Sequence, residues 1–74
     1  MMNYKLESIY EALVKYYKEK GHGIPSYVLH QKISEQLGVT PQTAKRYIYS
    51  LYEYGKIKFR GFEVIPVIKG DDRE

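Results

Sequence analysis

The apolar residues of the first twenty positions recur at spacings of three and four. They are Leu6, Ile9, Leu13 and then either Tyr16 or Tyr17. This spacing places side chains on one face of an α-helix. Asn3 is a suitable N-cap and Gly21-His22-Gly23 a suitable end. The pattern therefore predicts a first helix over Asn3–Lys20.

A short extended piece and a second helix follow. Ile24-Pro25 is extended because the residue before a proline avoids the helical region, and it is a candidate strand to pair with the C-terminal hairpin. Ser26 is a suitable N-cap for the next helix, Tyr27–Leu37. The apolar stripe of this helix has a spacing of four and consists of Leu29, Ile33 and Leu37. These residues predict a helix that buries one narrow face.

The segment Leu37-Gly38-Val39-Thr40 predicts a tight turn before a third helix. Gly38 suits the left-handed conformation at a helix C-terminus. Thr40 suits the N-cap, and Pro41 suits the first helical position, where a missing N–H costs nothing. Two helices joined by so short a turn containing a glycine are typical of a helix-turn-helix.

The third helix, Pro41–Tyr54, has an apolar and a polar face. At helical spacing the core side comprises Ala44, Tyr47, Ile48 and Leu51. The opposite side comprises Gln42, Lys45, Arg46 and Tyr49, with Thr43 and Ser50 at the margin. The helix therefore presents a basic polar face to a partner.

After Gly55 the apolar period changes to two, which predicts a β-hairpin. A two-residue turn at Arg60-Gly61 would pair Phe59 with Phe62, Lys58 with Glu63 and Ile57 with Val64. Every apolar residue would then lie on one face of the hairpin.

The second strand of the hairpin, Glu63–Lys69, contains Pro66. A proline predicts an edge strand, or one that stops near Ile65. In the predicted register Ile65 and Val67 point away from the core face and are available for a partner interface. The predicted fold class is mainly α with a small β element, three helices followed by a C-terminal hairpin.

Length and composition limit the other possibilities. The 74 residues predict one domain over 1–70 and a disordered acidic tail over 71–74. The net charge of +3 favours a polyanionic partner. The absence of cysteine excludes disulfides and thiolate metal sites, and no apolar run reaches the roughly 18 residues of a membrane span. We therefore expect a cytoplasmic protein without a membrane partner.

Nine tyrosines are too many for so small a core. Several must be exposed, where an apolar ring with a polar hydroxyl favours an interface. His22 and His30 are the only histidines and lack a carboxylate cluster, so we expect no metal site. No Gly-rich phosphate loop or catalytic constellation is present, and we expect neither enzyme activity, nor a cofactor, nor a small-molecule ligand.

Residues 33–57 resemble a winged helix-turn-helix domain. The matching residues are Ile33-Ser34, Leu37-Gly38-Val39-Thr40, Thr43-Ala44, Tyr47-Ile48, Leu51 and Gly55-Lys56-Ile57. Gly23-Ile24-Pro25-Ser26 is similar to the G-x-x-L-P-S opening of GntR-like regulators, although Ser26 lies about three residues further from Leu37 than in that family. The resemblance implies a small prokaryotic, archaeal or viral transcriptional regulator.

The resemblance implies a homodimer that represses by occupying double-stranded DNA, with the 41–54 helix in the major groove and the 57–65 hairpin on the backbone or in the minor groove. The expected DNA contacts are Thr40, Gln42, Thr43, Lys45, Arg46, Tyr49, Lys58 and Arg60. Gln42 suits an adenine edge and Arg46 a guanine edge.

Two alternatives remain open. The first is a protein–protein interaction module that uses its exposed tyrosines. The second is a replication or architectural protein without base specificity. In the first case, Lys45, Arg46 and Arg60 serve only to solvate the surface.

Overall fold

Three helices and three short strands make up the described part of the chain. The computed structural model describes residues 3–68. Its elements in chain order are α1 (Tyr4–Lys20), β1 (Ile24–Pro25), α2 (Ser26–Leu37), α3 (Pro41–Glu53), β2 (Ile57–Arg60) and β3 (Glu63–Pro66). The mainly helical class with a small β element is therefore confirmed. Lys69 and the predicted tail at 71–74 lie outside the described residues.

One hydrophobic core joins the three helices to one face of the sheet. Its buried members are Leu6, Ile9, Leu13, Ile24, Leu29, Ile33, Ala44, Ile48, Leu51, Ile57 and Val64. Leu51 and Val64 have no exposed surface. The helical stripes predicted from the sequence are thus the buried faces, except that Tyr16, Tyr17, Leu37 and Tyr47 are only half-buried. None of the helices within residues 3–68 is long and apolar enough to cross a membrane.

The tight turn between α2 and α3 forms as predicted. Gly38 ends α2 with a φ of 66°. The Thr40 side chain caps α3 by accepting a hydrogen bond from the Thr43 backbone N–H at 3.2 Å. The Ser34 hydroxyl donates to the Val39 carbonyl across the turn. These bonds fix the angle at which α3 leaves α2.

Ser26 differs from its predicted role. It is the first residue of α2, preceded by Pro25 at the cap position, and no side chain caps this helix. The Ser26 backbone N–H donates to the Phe62 carbonyl at 2.8 Å, which continues the pairing of β1 with β3. The end of the sheet therefore satisfies the helix terminus instead of a capping hydroxyl. α3 likewise ends one residue earlier than predicted, with Tyr54 as its C-cap.

β3 is the central strand of the sheet, in the order β1-β3-β2, so the predicted edge position is wrong. The predicted alternative, a strand that stops near Ile65, is confirmed because β3 ends at Pro66. The pairing of Ile24-Pro25 with the hairpin, which was predicted, supplies the third strand: Ile24 lies opposite Val64. Pro66 is tolerated because it is the last residue of β3, beyond the two residues that β1 covers.

The hairpin turn lies one residue later than predicted, at Gly61-Phe62. Arg60 pairs with Glu63, Phe59 with Val64, Lys58 with Ile65 and Ile57 with Pro66. Gly61 has a φ of 63°, and no described non-glycine residue has a positive φ. A type II′ turn has glycine with a positive φ at its first central position and a residue with a negative φ at its second. Gly61 and Phe62 fit these two positions. The preference of glycine for the first central position places the turn one residue later than predicted. Phe62 therefore lies in the turn, where it is 69% exposed.

Ile65 is buried on the opposite face of β3 from the main core, and its predicted role in a partner interface is wrong. Its exposed fraction is 4%, whereas Val67 is 39% exposed. A Cβ at Gly23 would lie 2.6 Å from the Val64 carbonyl oxygen and 2.9 Å from Ile65 Cγ1. The chain therefore uses a glycine at this position so that β3 can approach closely.

Candidate nucleic-acid interface

The polar face of α3 is exposed as the helical spacing predicted. Its four central side chains, Gln42, Lys45, Arg46 and Tyr49, are all in the exposed class. A shallow, open depression is lined by Lys45, Arg46, Tyr49 and Ser50. Between Pro41 and Tyr52 the helix carries no carboxylate, and Glu53 is its only acidic residue. The face is therefore cationic over its first three turns.

The two threonines at the start of α3 have different chemical roles. The Thr40 hydroxyl accepts the Thr43 N–H and donates to Thr43 Oγ1 at 3.1 Å. Thr40 thus uses its only hydroxyl proton inside the cap, whereas the Thr43 hydroxyl proton remains available. Of the two threonines expected to contact DNA, Thr43 is the one that can donate to a phosphate without giving up the bond between the two hydroxyls. The Gln42 N–H has no intrahelical acceptor at this helix N-terminus, where anions bind favourably.

The charge of Lys45 acts on a residue of the neighbouring helix. The pKa of His30, a half-buried residue of α2, is lowered by burial and then by the charge of Lys45. Arg46, the next residue of α3, is rotated by about 100° around the helix axis. Both cations nevertheless line the same depression.

Lys58 and Arg60 do not lie on the same face as Phe59, which contacts α3. Successive residues of a strand point to opposite faces, and the Phe59 ring packs against Tyr52 of α3 with a centroid distance of 5.3 Å. Lys58 and Arg60 are exposed on the outer face of the sheet, where Arg60 pairs with Glu63. The predicted DNA contacts therefore fall into two separate groups. The hairpin group consists of Lys58 and Arg60, and the α3 group consists of Thr40, Gln42, Thr43, Lys45, Arg46 and Tyr49.

Three aromatic rings form a row from α3 to the hairpin. Tyr49 and Tyr52 have ring centroids 6.1 Å apart, and Tyr52 continues to Phe59. We name Tyr49, Tyr52 and Phe59 the aromatic row. The sequence singled out Tyr49 alone, although the spacing of three between the two tyrosines indicates neighbours on a helix. The sequence did not indicate the contact of Phe59 with Tyr52, because this contact joins the hairpin to α3.

A more enclosed, apolar groove lies between α1 and α2. It has a volume of about 170 Å³ and is lined mainly by core residues, with Lys32 and Gln36 among its polar members. Small-molecule sites usually measure roughly 300–1,000 Å³, so this groove does not favour ligand binding. Within residues 3–68 no group of three His, Cys, Asp or Glu side chains is placed to hold a metal.

The lowered pKa of His30 gives a testable pH dependence. The unfolded chain binds the proton with the ordinary pKa of 6.5, and the folded chain binds it less readily. The contribution of His30 to stability is therefore complete above pH 6.5 and is lost as the pH falls below that value. We expect urea denaturation to show this loss, and His30→Gln to remove it. An NMR titration that places the pKa of His30 at or above 6.5 would contradict the interaction with Lys45.

No family model, no curated protein and no solved structure matches this chain.

Proposed function

We propose that the chain is a winged helix-turn-helix protein that binds double-stranded DNA and regulates transcription. The order helix, strand, helix, helix, hairpin supports this fold, as does a sheet in which β3 lies between β1 and β2. The short glycine-containing turn before α3 is the second support. In this proposal β2 and β3 form the wing.

The observation that carries the proposal is the division of α3 into two faces. Ala44, Ile48 and Leu51 are buried and hold the helix rigidly, while the opposite face is exposed and cationic. A rigid helix with a free basic face has the shape and charge to enter the major groove of B-DNA.

Each side chain of the α3 group has a role in this geometry. Gln42 and Arg46 offer the bidentate geometry that reads adenine and guanine edges. Lys45, whose ammonium group is a point charge without bidentate geometry, neutralises a phosphate. Thr43 donates to a second phosphate, and Tyr49 contacts a sugar or phosphate. Lys58 and Arg60 follow the backbone or minor groove from the wing.

A homodimer in the cytoplasm and repression by site occupancy belong to the same proposal. One recognition helix reads only one half-site, and dimers bring two helices to half-sites one DNA turn apart. Exposed Val67 and half-buried Val14 and Tyr17 are the remaining candidates for the dimer surface. Tyr10 is a weaker candidate because its hydroxyl donates to the Val67 carbonyl at 2.6 Å and its ring lies below the Lys56 ammonium group.

A protein–protein interaction module is the second candidate function. Its support is the number of large exposed rings: Tyr4 is 73% and Tyr27 is 68% exposed, on α1 and α2 respectively. Exposed aromatic residues are enriched at protein interfaces. These two tyrosines lie outside α3 and the hairpin, so they are useful controls for any test of DNA binding.

Duplex binding at two salt concentrations tests the proposal. Fluorescence anisotropy with a mixed-sequence duplex would be measured at about 50 and 200 mM salt. If Lys45, Arg46, Lys58 and Arg60 each neutralise one phosphate, the affinity should fall on the order of 10²-fold between these salts. Tyr27→Ala is the matched control and should bind like the parent chain. The absence of binding at about 50 mM salt, or binding that is insensitive to salt, would exclude the DNA-binding proposal.

A further inference from the structure

The three side chains of the aromatic row contact one another and are nevertheless exposed to water. The exposed fractions are 60% for Tyr49, 47% for Tyr52 and 42% for Phe59. The rings are tilted by 35° and 43° with respect to their neighbours, so they do not form a closed stack. About half of each ring therefore remains in contact with water. Burying that surface needs an occupant from outside the domain.

Cations are concentrated at one end of the aromatic row. Lys45 and Arg46 lie one helical turn before Tyr49 and line the same depression. Glu53 is the acidic neighbour, one turn after Tyr49, and it lies at the far end of the helix. The row thus begins in the cationic part of α3 and continues to the hairpin. This charge distribution favours an anionic occupant that extends from the basic face of α3.

Aromatic rings next to cations are the features with which proteins bind unpaired nucleotides. A base stacks on an aromatic side chain with about 1–3 kcal/mol, and the basic groups follow the phosphates. In an intact duplex the bases already stack on each other, and withdrawing one costs a few kcal/mol. The rings therefore gain most from bases that are unpaired at the outset.

We propose that the aromatic row binds the unpaired bases of a DNA strand that continues from the duplex bound by α3. This inference rests on the proposed function. The row would make the chain prefer a junction between double-stranded and single-stranded DNA over a blunt duplex. A second copy of the chain is the competing occupant, but Lys45 and Arg46 beside the row favour an anionic partner over another copy of a chain whose net charge is +3.

Comparison of two DNA substrates tests the inference. One is a blunt duplex, and the other is the same duplex with a short unpaired extension on one strand. We expect the junction to bind about 5- to 150-fold more tightly for each base that stacks. Tyr52→Leu should remove this preference, because leucine keeps an apolar side chain but has no aromatic face. Tyr52→Phe should retain it, and Tyr27→Leu is the matched control on another face.

A single tryptophan gives a second readout. The chain contains no tryptophan, so Tyr52→Trp introduces one fluorophore whose emission reports its own surroundings. Stacking of a base should quench this emission when the junction is added, and the blunt duplex should leave it nearly unchanged. Tyr27→Trp is the control and should respond to neither substrate.

The outcomes separate this inference from the proposed function. Salt-dependent binding of the blunt duplex without any preference for the junction would overturn the inference and leave the proposed function intact. Emission of the Tyr52→Trp variant that shifts with protein concentration in the absence of DNA would overturn it in favour of a second copy. Binding of the extended duplex without any binding of the blunt duplex would overturn the proposed function and the inference together, because the row would then bind an unpaired strand on its own.

Discussion

Replacing Leu51 with alanine is expected to remove most of the stability of this domain. Leu51 has no exposed surface and belongs to the one core that joins all three helices to the sheet. A buried Leu→Ala change costs about 2–5 kcal/mol, from lost burial and from the cavity left behind. A domain of this size rarely has more than about 3–5 kcal/mol from its core. The variant should therefore be largely unfolded, or close to it, at room temperature.

Urea denaturation followed by circular dichroism measures this loss. Leu37→Ala is the matched control, since it makes the same chemical change at a half-buried position at the end of α2. We expect a clearly smaller loss for Leu37→Ala. Equal losses for the two variants would mean that the core is not centred on α3, contrary to the burial described above.

Replacing Arg46 and Lys45 separately with alanine should weaken DNA binding in two different ways. If Arg46 reads a guanine edge, Arg46→Ala costs about 1–3 kcal/mol and relaxes selectivity at one base pair. If Lys45 neutralises a phosphate, Lys45→Ala weakens binding to all sequences similarly. It should also reduce the slope of log affinity against log salt by about 1. The two variants thus distinguish recognition of a base by Arg46 from neutralisation of a phosphate by Lys45.

Selection of bound sequences from a random pool, followed by salt titration, distinguishes the two effects. Lys18→Ala removes an exposed lysine of α1, outside the proposed interface, and should change neither measurement. Identical behaviour of Arg46→Ala and Lys45→Ala would contradict the assignment of distinct roles. Symmetry of the selected sequence would also report whether two copies bind together.

The helical part of the fold was predictable because its signals are local. Asn3 caps α1 by accepting the Leu6 N–H at 2.9 Å, and Thr40 caps α3 in the same manner. Apolar spacing along each helix identified the buried face. For the same reason the exposed side chains of the α3 group could be named from the sequence alone.

The sheet was less predictable because it depends on residues that are distant in sequence. The choice between a turn at Arg60-Gly61 and one at Gly61-Phe62 depends on which central position the glycine takes, and apolar alternation fits both. The central position of β3 follows from its pairing with β1, about 40 residues earlier. The aromatic row was missed for a similar reason, since the contact of Phe59 with Tyr52 joins two elements and no spacing within either of them indicates it.

The position of β3 has a consequence for folding during synthesis. Its Val64 completes the core and pairs with Ile24, and Val67 accepts the hydroxyl of Tyr10 from the first helix. β3 follows all three helices along the chain, so a ribosome makes it after them. Until β3 has been made, the apolar stripes of the helices lack the strand that completes their core, and the nascent chain cannot close that core.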